Sequence, residues 1–102
     1  MIRCYILVDR QPVPATVEQW GRFLTSPERQ VDLTELSGEV TVSTVFLGID
    51  HNFGNGPPLV FETMIFGGPH DGYQERCATW DEAVTTHRAA CVLAKTGLVE
   101  EG

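Results

Sequence analysis

The segment Ser43–Phe66 reads STVFLGIDHNFGNGPPLVFETMIF and decides the fold of this chain. Two apolar runs rich in β-branched and aromatic residues, Thr41–Ile49 and Leu59–Phe66, flank the polar connection Asp50–Pro58. This pattern is typical of two core strands of a β-sheet that are joined by a loop with functional side chains. We therefore expect an antiparallel pair of strands at the centre of the protein and a functional site near the loop.

The pairing of these strands determines which side chains share a face, because successive residues of a strand point to opposite sides. If Ile49 lies opposite Leu59, the face that should carry the helices holds Val45, Leu47, Ile49, Leu59, Phe61 and Ile65. The second face, which includes Thr44, is also mostly apolar, and an exposed apolar face is typical of an interface. We expect it to bind another protein or a second copy of the chain, with a monomer as the alternative to a homodimer. The expected interface residues are Val42, Phe46, Val60, Glu62, Met64 and Phe66.

The rest of the sequence predicts an α+β domain, an antiparallel sheet of four to five strands with two packed helices, in the order β-α-(β)-β-β-β-α. Met1–Asp9 has the composition of a strand. Arg10–Pro14 reads as a turn or an extended link, because proline disfavours helix in the residue before it. We expect residues 1–97 to form one domain and residues 98–102 a short tail. The other expected elements are a helix over Thr16–Thr25, an edge strand over Val31–Leu36, a turn at Asp71-Gly72, a strand over Tyr73–Ala78 and a helix over Thr79–Thr96.

Length and composition indicate a single domain with one core, since the chain has 102 residues of which 42% are hydrophobic. No apolar run approaches the roughly 20 residues that span a bilayer. The N-terminal stretch is too short and too strand-like for a signal peptide, so we expect a cytoplasmic protein. The three cysteines form no C-x-x-C pair and predict free thiols, not a disulfide framework.

The formal net charge of −7 is unevenly distributed along the chain. No Lys or Arg lies between Arg29 and Arg76, whereas that window holds Asp32, Glu35, Glu39, Asp50, Glu62, Asp71 and Glu75. Such a field repels nucleic acid and anionic membranes and attracts cations or a basic protein surface. The simpler interpretation is that the charge only aids solubility.

Four residues are candidate ligands of a divalent transition metal: Asp50, His51, Glu62 and His87. Mixed nitrogen and oxygen ligands suit zinc, manganese or iron. However, no H-x-H or H-E-x-x-H spacing supports the site, and the assumed pairing places Asp50 roughly 13 Å from Glu62 at about 3.3 Å per residue. The metal site is therefore an alternative, and our first expectation is no cofactor.

Each of these residues also has an ordinary structural interpretation. Asp50 and Asn52 are expected to cap the turn through local hydrogen bonds. His87 falls on the inward stripe of the second helix, where a lone histidine is usually part of the core edge. Glu62 lies among apolar residues and needs either an ion-pair partner or a role in acid–base chemistry. Its possible partners are Arg3, Arg22, Arg76 and Arg88.

Other catalytic and binding motifs are missing from the sequence. The glycines do not form a phosphate loop, and no serine nucleophile elbow or Cys–His signature is present. A basic surface interleaved with aromatic residues is also missing, so we expect no nucleic-acid binding and no catalytic residues.

Three segments carry a resemblance to known proteins: STVFLGIDHNFG, GPPLVFETMIF and ATWDEAVTTH. They resemble a family of small uncharacterised proteins from phages, prophages and bacterial genomes, over about Val31 to His87. The resemblance implies a phage or prophage accessory gene, whose product would act in the host cytoplasm, and supplies no mechanism. Together with the acidic charge, it predicts a non-enzymatic accessory protein that binds another protein, such as a basic host protein. The alternatives are a metal-binding protein or metal-dependent enzyme and a purely structural homo-oligomer.

Overall fold

A computed structural model describes residues 3–52 and 54–96. Two helices and two antiparallel sheets confirm the expected α+β class. The predicted tail, 98–102, lies outside the described residues. No helix in the described ranges is long and apolar enough to cross a membrane. In chain order the elements are β1 (Cys4–Val8), β2 (Gln11–Ala15), α1 (Val17–Phe23), a 3₁₀ turn (Pro27–Arg29), β3 (Gln30–Ser37), β4 (Val40–Phe46), β5 (Phe61–Phe66), β6 (Gln74–Cys77) and α2 (Trp80–Thr96).

The larger sheet is an antiparallel meander with the strand order β3-β4-β5-β6. Helix α2 packs along one face and contacts all four strands. Its buried side chains are Ala83, His87, Ala90 and Ala94, so His87 lies on the inward side as the sequence predicts. Alanines at most of these positions let the helix approach the sheet closely, so the core is thin and depends on good contact between the two layers.

The apolar core beneath α2 consists of two clusters. One surrounds Val42 and Ile65 near the C-terminal half of the helix, and the other surrounds Phe46 and Phe61 near its start. In the second cluster the rings of Phe23, Phe46, Phe61 and Trp80 follow one another edge to face. This aromatic cluster attaches α1 to the end of the sheet where α2 begins.

The expected pairing of β4 and β5 is wrong by one residue. Phe46 lies opposite Phe61, so the pairing that would place Ile49 opposite Leu59 does not occur. The cause lies just after β4, where the N–H groups of both Leu47 and Gly48 point at the carbonyl of Val60, at N···O distances of 2.6 and 3.4 Å. Leu47 and Gly48 thus both lie opposite Val60, as in a β-bulge. The extra residue shifts the pairing of β4 with β5 by one position from the pairing expected for strands without a bulge.

This shift moves side chains to the other face of the sheet. Val42 and Phe46 lie beneath α2 and are fully buried, and Val60 is also fully buried in the core. Glu62, Met64 and Phe66 point to the opposite face. The predicted interface set is therefore not one surface, and its first three members are unavailable to a partner.

The segment expected to be a link, Arg10–Pro14, contains a missed strand. β2 pairs with β1 across a two-residue turn whose residues, Asp9 and Arg10, have φ of 50° and 65°. In such a hairpin the closing pair exchanges hydrogen bonds, so Pro12 and Pro14 fall at positions that need no N–H donor toward β1. The hairpin forms a separate sheet, joined to the rest by the bridge between Cys4 and Ile49.

Local signals predicted both helices correctly. Thr16 and Gln19 form a reciprocal capping box at the start of α1. Thr79 accepts a hydrogen bond from the N–H of Glu82 in the first turn of α2, and Glu82 accepts one from the N–H of Thr79. Trp20 then ties α1 to the bulge, because its indole N–H donates to the carbonyl of Leu47 at 3.0 Å.

Candidate functional site

The loop after β4 is held by its own polar side chains. Asp50 accepts hydrogen bonds from the N–H groups of Asn52 and Leu59, at 2.7 and 3.1 Å. Asn52 accepts from the N–H of Gly54 at 3.0 Å and donates to the carbonyl of Pro57 at 3.0 Å. These contacts confirm the expectation that Asp50 and Asn52 cap the turn. Hydrogen bonding within the loop thus accounts for both side chains without a ligand.

Glu62 lies on the face opposite α2 and has an ion-pair partner there. Its Oε2 is 3.1 Å from Nε of Arg76 and also accepts a hydrogen bond from Gln74 at 2.6 Å. The side chains of Glu62 and Arg76 are 13% and 37% exposed. This confirms the ion-pair interpretation, with Arg76 as the partner among the four candidates. Because water screens a partly exposed pair, its contribution to stability is small.

The four predicted metal ligands are not gathered into one site. Glu62 and its neighbour Thr63 point to opposite faces of β5, and His87 lies on the face of Thr63. His51 lines a surface hollow with Gln74 and Arg76. Within residues 3–52 and 54–96, no group of three or more His, Cys, Asp or Glu side chains is placed to hold a metal ion.

The polar group that the structure does assemble surrounds His87. The Nδ1 atom of its ring is 2.7 Å from the hydroxyl of Thr44, which is 2.7 Å from the hydroxyl of Thr63. On the other side of the ring, Nε2 is 2.9 Å from the hydroxyl of Thr34 and 3.6 Å from Oδ2 of Asp32. His87, Thr44 and Thr63 are buried, whereas the side chain of Asp32 is 55% exposed. A continuous chain of polar atoms thus runs from the surface into the core between the two apolar clusters.

A neutral imidazole satisfies every member of this chain. If Nε2 carries the proton, it donates toward Thr34, the hydroxyl of Thr44 donates to Nδ1, and the hydroxyl of Thr63 donates to Thr44. Burial lowers the pKa of His87 from its usual value, and the negative charge of Asp32 opposes this shift only in part. The ring is therefore held in its neutral form at neutral pH.

The sequence of acid, imidazole and hydroxyl resembles a nucleophilic arrangement but is not accessible to a substrate. Thr44 has no exposed surface, and Thr63 is only 1% exposed. A nucleophile must reach a substrate atom, so these hydroxyls can serve only as internal hydrogen-bonding groups. The chain is a structural element of the core.

Sequence reasoning placed His87 in the core and missed its partners. Asp32, Thr44 and Thr63 are successive partners in the strand register, so they form one row across β3, β4 and β5. The available signal was a threonine at the centre of each of two apolar runs. With the correct pairing, these two threonines lie directly opposite each other beneath the only histidine of α2.

The second feature of functional interest is the sheet face opposite α2, which we call the open face. It is defined by Leu33, Val45, Glu62, Met64 and Phe66. Leu33 is 54% exposed and Phe66 48% exposed. Single exposed apolar residues are common, but here apolar side chains occur on three adjacent strands, with the small polar residues Thr41 and Ser43 between them, and we call this set the patch.

A functional assignment for this chain rests on its own residues and surface, because no relative suggests a function. Comparison with models of known protein families, with curated proteins and with solved structures found no match. The structure offers the inaccessible chain at His87 and the accessible open face. The open face is the better candidate for a functional site, because a partner protein can reach it and cannot reach the buried chain at His87.

Proposed function

We propose that this chain is a non-enzymatic accessory protein, of the phage or prophage type, that binds another protein through its open face. The observation that carries the proposal is the exposure of Leu33 and Phe66, 54% and 48%, on a face that α2 does not cover. Covering the exposed half of each side chain would contribute about 1 kcal/mol at roughly 25 cal/mol per Å². Covering these side chains with a partner protein therefore contributes favourably to the free energy of binding.

Charge around the patch supports a basic partner. Glu35 lies in the same row as Thr41 and Phe66, and Glu39 follows in the turn to β4. Glu35 lies opposite Thr41 in the register, and the guanidinium of Arg76, on the same face at the other edge of the sheet, is paired with Glu62. An apolar surface with a basic rim is the complement of such a face.

The proposal is tested by photocrosslinking in a cell that contains the partner. A photoreactive residue replaces Leu33, Phe66 or, as a control, Val92, which is 64% exposed on α2. We expect one basic protein to crosslink from the two open-face positions and not from position 92. With that protein purified, E35K and E39K should weaken binding, and added salt should weaken the binding of the original chain.

Other outcomes contradict the proposal. Crosslinking of the chain to itself from positions 33 and 66 would identify the open face as a homodimer interface. An acidic partner, or equal crosslinking from position 92, would also overturn it. L33S and F66S keep the fold because both side chains are already half exposed, so a loss of binding in these variants reports on the surface.

A further inference from the structure

We propose that the free edge of β6 is a second binding surface, which takes up an extended basic segment of a partner protein as an added β-strand. This surface is the edge of the sheet that borders the open face of the proposed function, and it binds through backbone groups that the open face does not use. The juxtaposition that supports it is an unpaired strand edge beside two adjoining hollows, of which the one next to α2 is lined by three carboxylates.

The backbone of β6 offers hydrogen-bonding groups to such a strand. The carbonyls of Tyr73 and Cys77 accept from Ile65 and Val60 of the neighbouring segment, both at 3.1 Å. Groups in an antiparallel strand alternate in direction, so the N–H and C=O groups of Gln74 and Arg76 point away from β5. Within the described residues no strand lies beyond β6. Two residues thus present four backbone groups that a strand can pair with.

The opposite edge of the sheet, formed by β3, is a poorer template for an added strand. β3 has register irregularities at Gln30/Asp32 and at Glu35/Ser37, and the side chain of Asp32 accepts a hydrogen bond from the N–H of Leu33 at 2.8 Å. Bulges and occupied donors are the usual means by which a protein blunts an edge strand. β6 has a regular register, so strand addition is favoured at β6.

Two adjoining hollows along β6 offer space for the side chains of an added strand. Between β6 and α2 lies a groove of about 490 Å³ whose lining includes Glu75, Cys77, Asp81 and Glu82. A second hollow, of about 690 Å³, adjoins the groove. It is lined by His51, Leu59, Gln74, Glu75 and Arg76 and shares Leu59, Glu75 and Arg76 with the groove. Alternate residues of an added strand would point into the groove.

Charge determines the chemistry of the occupant. Glu75, Asp81 and Glu82 line the groove, and the guanidinium at its rim, that of Arg76, is engaged by Glu62. Burial and, second to it, the Glu82 charge raise the pKa of the Cys77 thiol to about 11, so the thiol adds no negative charge near neutral pH. The residues that point into the groove should therefore be lysine or arginine.

A second copy of the chain fits this edge poorly. Pairing two β6 strands in the antiparallel register that joins Gln74 to Arg76 in both directions sets Glu75 directly opposite Glu75 of the other copy. Like charges directly opposite each other destabilise a strand pair. A lysine in place of the second Glu75 removes the repulsion and adds an ion pair.

The proposal is tested with the whole chain and the synthetic peptide Thr-Lys-Val-Lys-Val-Lys-Thr. We expect the peptide to slow hydrogen exchange at the amides of Gln74 and Arg76, as measured by NMR. Two matched peptides serve as controls, one with glutamate in place of each lysine and one N-methylated at both valines. Each control should bind more weakly by about tenfold, since one reverses the charges and the other removes backbone donors.

Variants of the chain separate this surface from the open face. Q74P removes the outward N–H, which an edge strand tolerates, and D81K reverses a charge in the groove. Both variants should bind the lysine peptide about tenfold more weakly, whereas F66S should leave the affinity for this peptide unchanged. Equal binding of the lysine and glutamate peptides would overturn the proposal. Slowed amide exchange in β3 on adding the peptide would also overturn it. So would slowed exchange at Gln74 and Arg76 that rises with protein concentration in the absence of peptide, since this would identify a second copy as the occupant.

Discussion

Residue His87 joins helix α2 to strands β3 and β4 through the hydroxyls of Thr34 and Thr44. It is 2% exposed, and both ring nitrogens have hydroxyl partners. A buried polar group that loses its partner costs about 1–3 kcal/mol, so this chain of hydrogen bonds stabilises the fold only while it is complete. Protonation of the ring disturbs it, because Nδ1 then becomes a donor and the hydroxyls of Thr44 and Thr63 must reverse.

The free energy of unfolding is expected to fall as the pH is lowered through about 6.5. The pKa of His87 is lowered in the folded protein, so below the usual value of 6.5 the unfolded chain binds the proton more readily. Stability from this residue is fully present above pH 6.5 and is lost progressively toward the folded-state pKa, by at most about 1.4 kcal/mol per pH unit. Urea denaturation between pH 7.5 and pH 5 measures the loss.

Two variants control this experiment. H87Q cannot titrate, so its stability should depend less on pH over this range. D32N removes the charge that favours the protonated ring, so the loss in acid should extend to lower pH than in the original chain. Identical profiles for the original chain and H87Q would contradict the prediction.

At the scale of elements, the bulge at Leu47–Gly48 fixes how the two parts of the chain meet. Gly48 has a φ of 76°, a conformation that favours glycine. A Cβ atom at this position would collide with the indole ring of Trp20 and approach the carbonyl of Tyr5. The bulge therefore joins β4, α1 and β1 at a point where a side chain does not fit.

Replacing Gly48 by alanine is expected to destabilise the protein by about 2–4 kcal/mol, from the left-handed backbone and the collision with Trp20 together. G21A is the matched control, since a Cβ there meets nothing within 4 Å and the residue lies in α1. Alanine should stabilise that helix by about 0.5–1 kcal/mol. If the urea midpoints of G48A and G21A both rose or both fell relative to that of the original chain, this account would be contradicted.

The elements differ in how far the sequence could predict them. Helices α1 and α2 were predictable because their capping residues lie within four positions of one another. Strand β2 was missed because Pro12 and Pro14 look like breakers until the pairing with β1 shows that they face away from it. The partners of His87 depend on the pairing of β4 with β5, and that pairing is set by a bulge for which Gly48 is only a weak local signal.

At the scale of the whole molecule, α2 divides the four-stranded sheet into a covered and an open face. The alternation along β4 and β5 predicts opposite responses for two phenylalanines. Phe46 is fully buried, and F46A should cost about 3–5 kcal/mol. Phe66 is 48% exposed, and F66A should cost about 1 kcal/mol or less.

Thermal or urea unfolding of F46A and F66A measures both costs. The pairing of Ile49 with Leu59 would place the two rings on one face, where they would be expected to respond alike. A large cost for F66A would mean that the open face is covered in solution, and a cost that depends on protein concentration would identify the cover as a second copy.

The single histidine of α2 also contributes, with Trp80, to fixing where the helix lies along its own axis. The other buried residues of the helix are Ala83, Ala90 and Ala94, small side chains that would pack almost as well after a slide of one turn, about 5.4 Å. Such a slide would take the imidazole away from Thr44 and Thr34 and leave Thr44 with Thr63 as its partner. H87L would keep the apolar contact and remove the polar part of this constraint, so that the packing of Trp80 on Phe61 would remain to hold α2 at its position along the sheet.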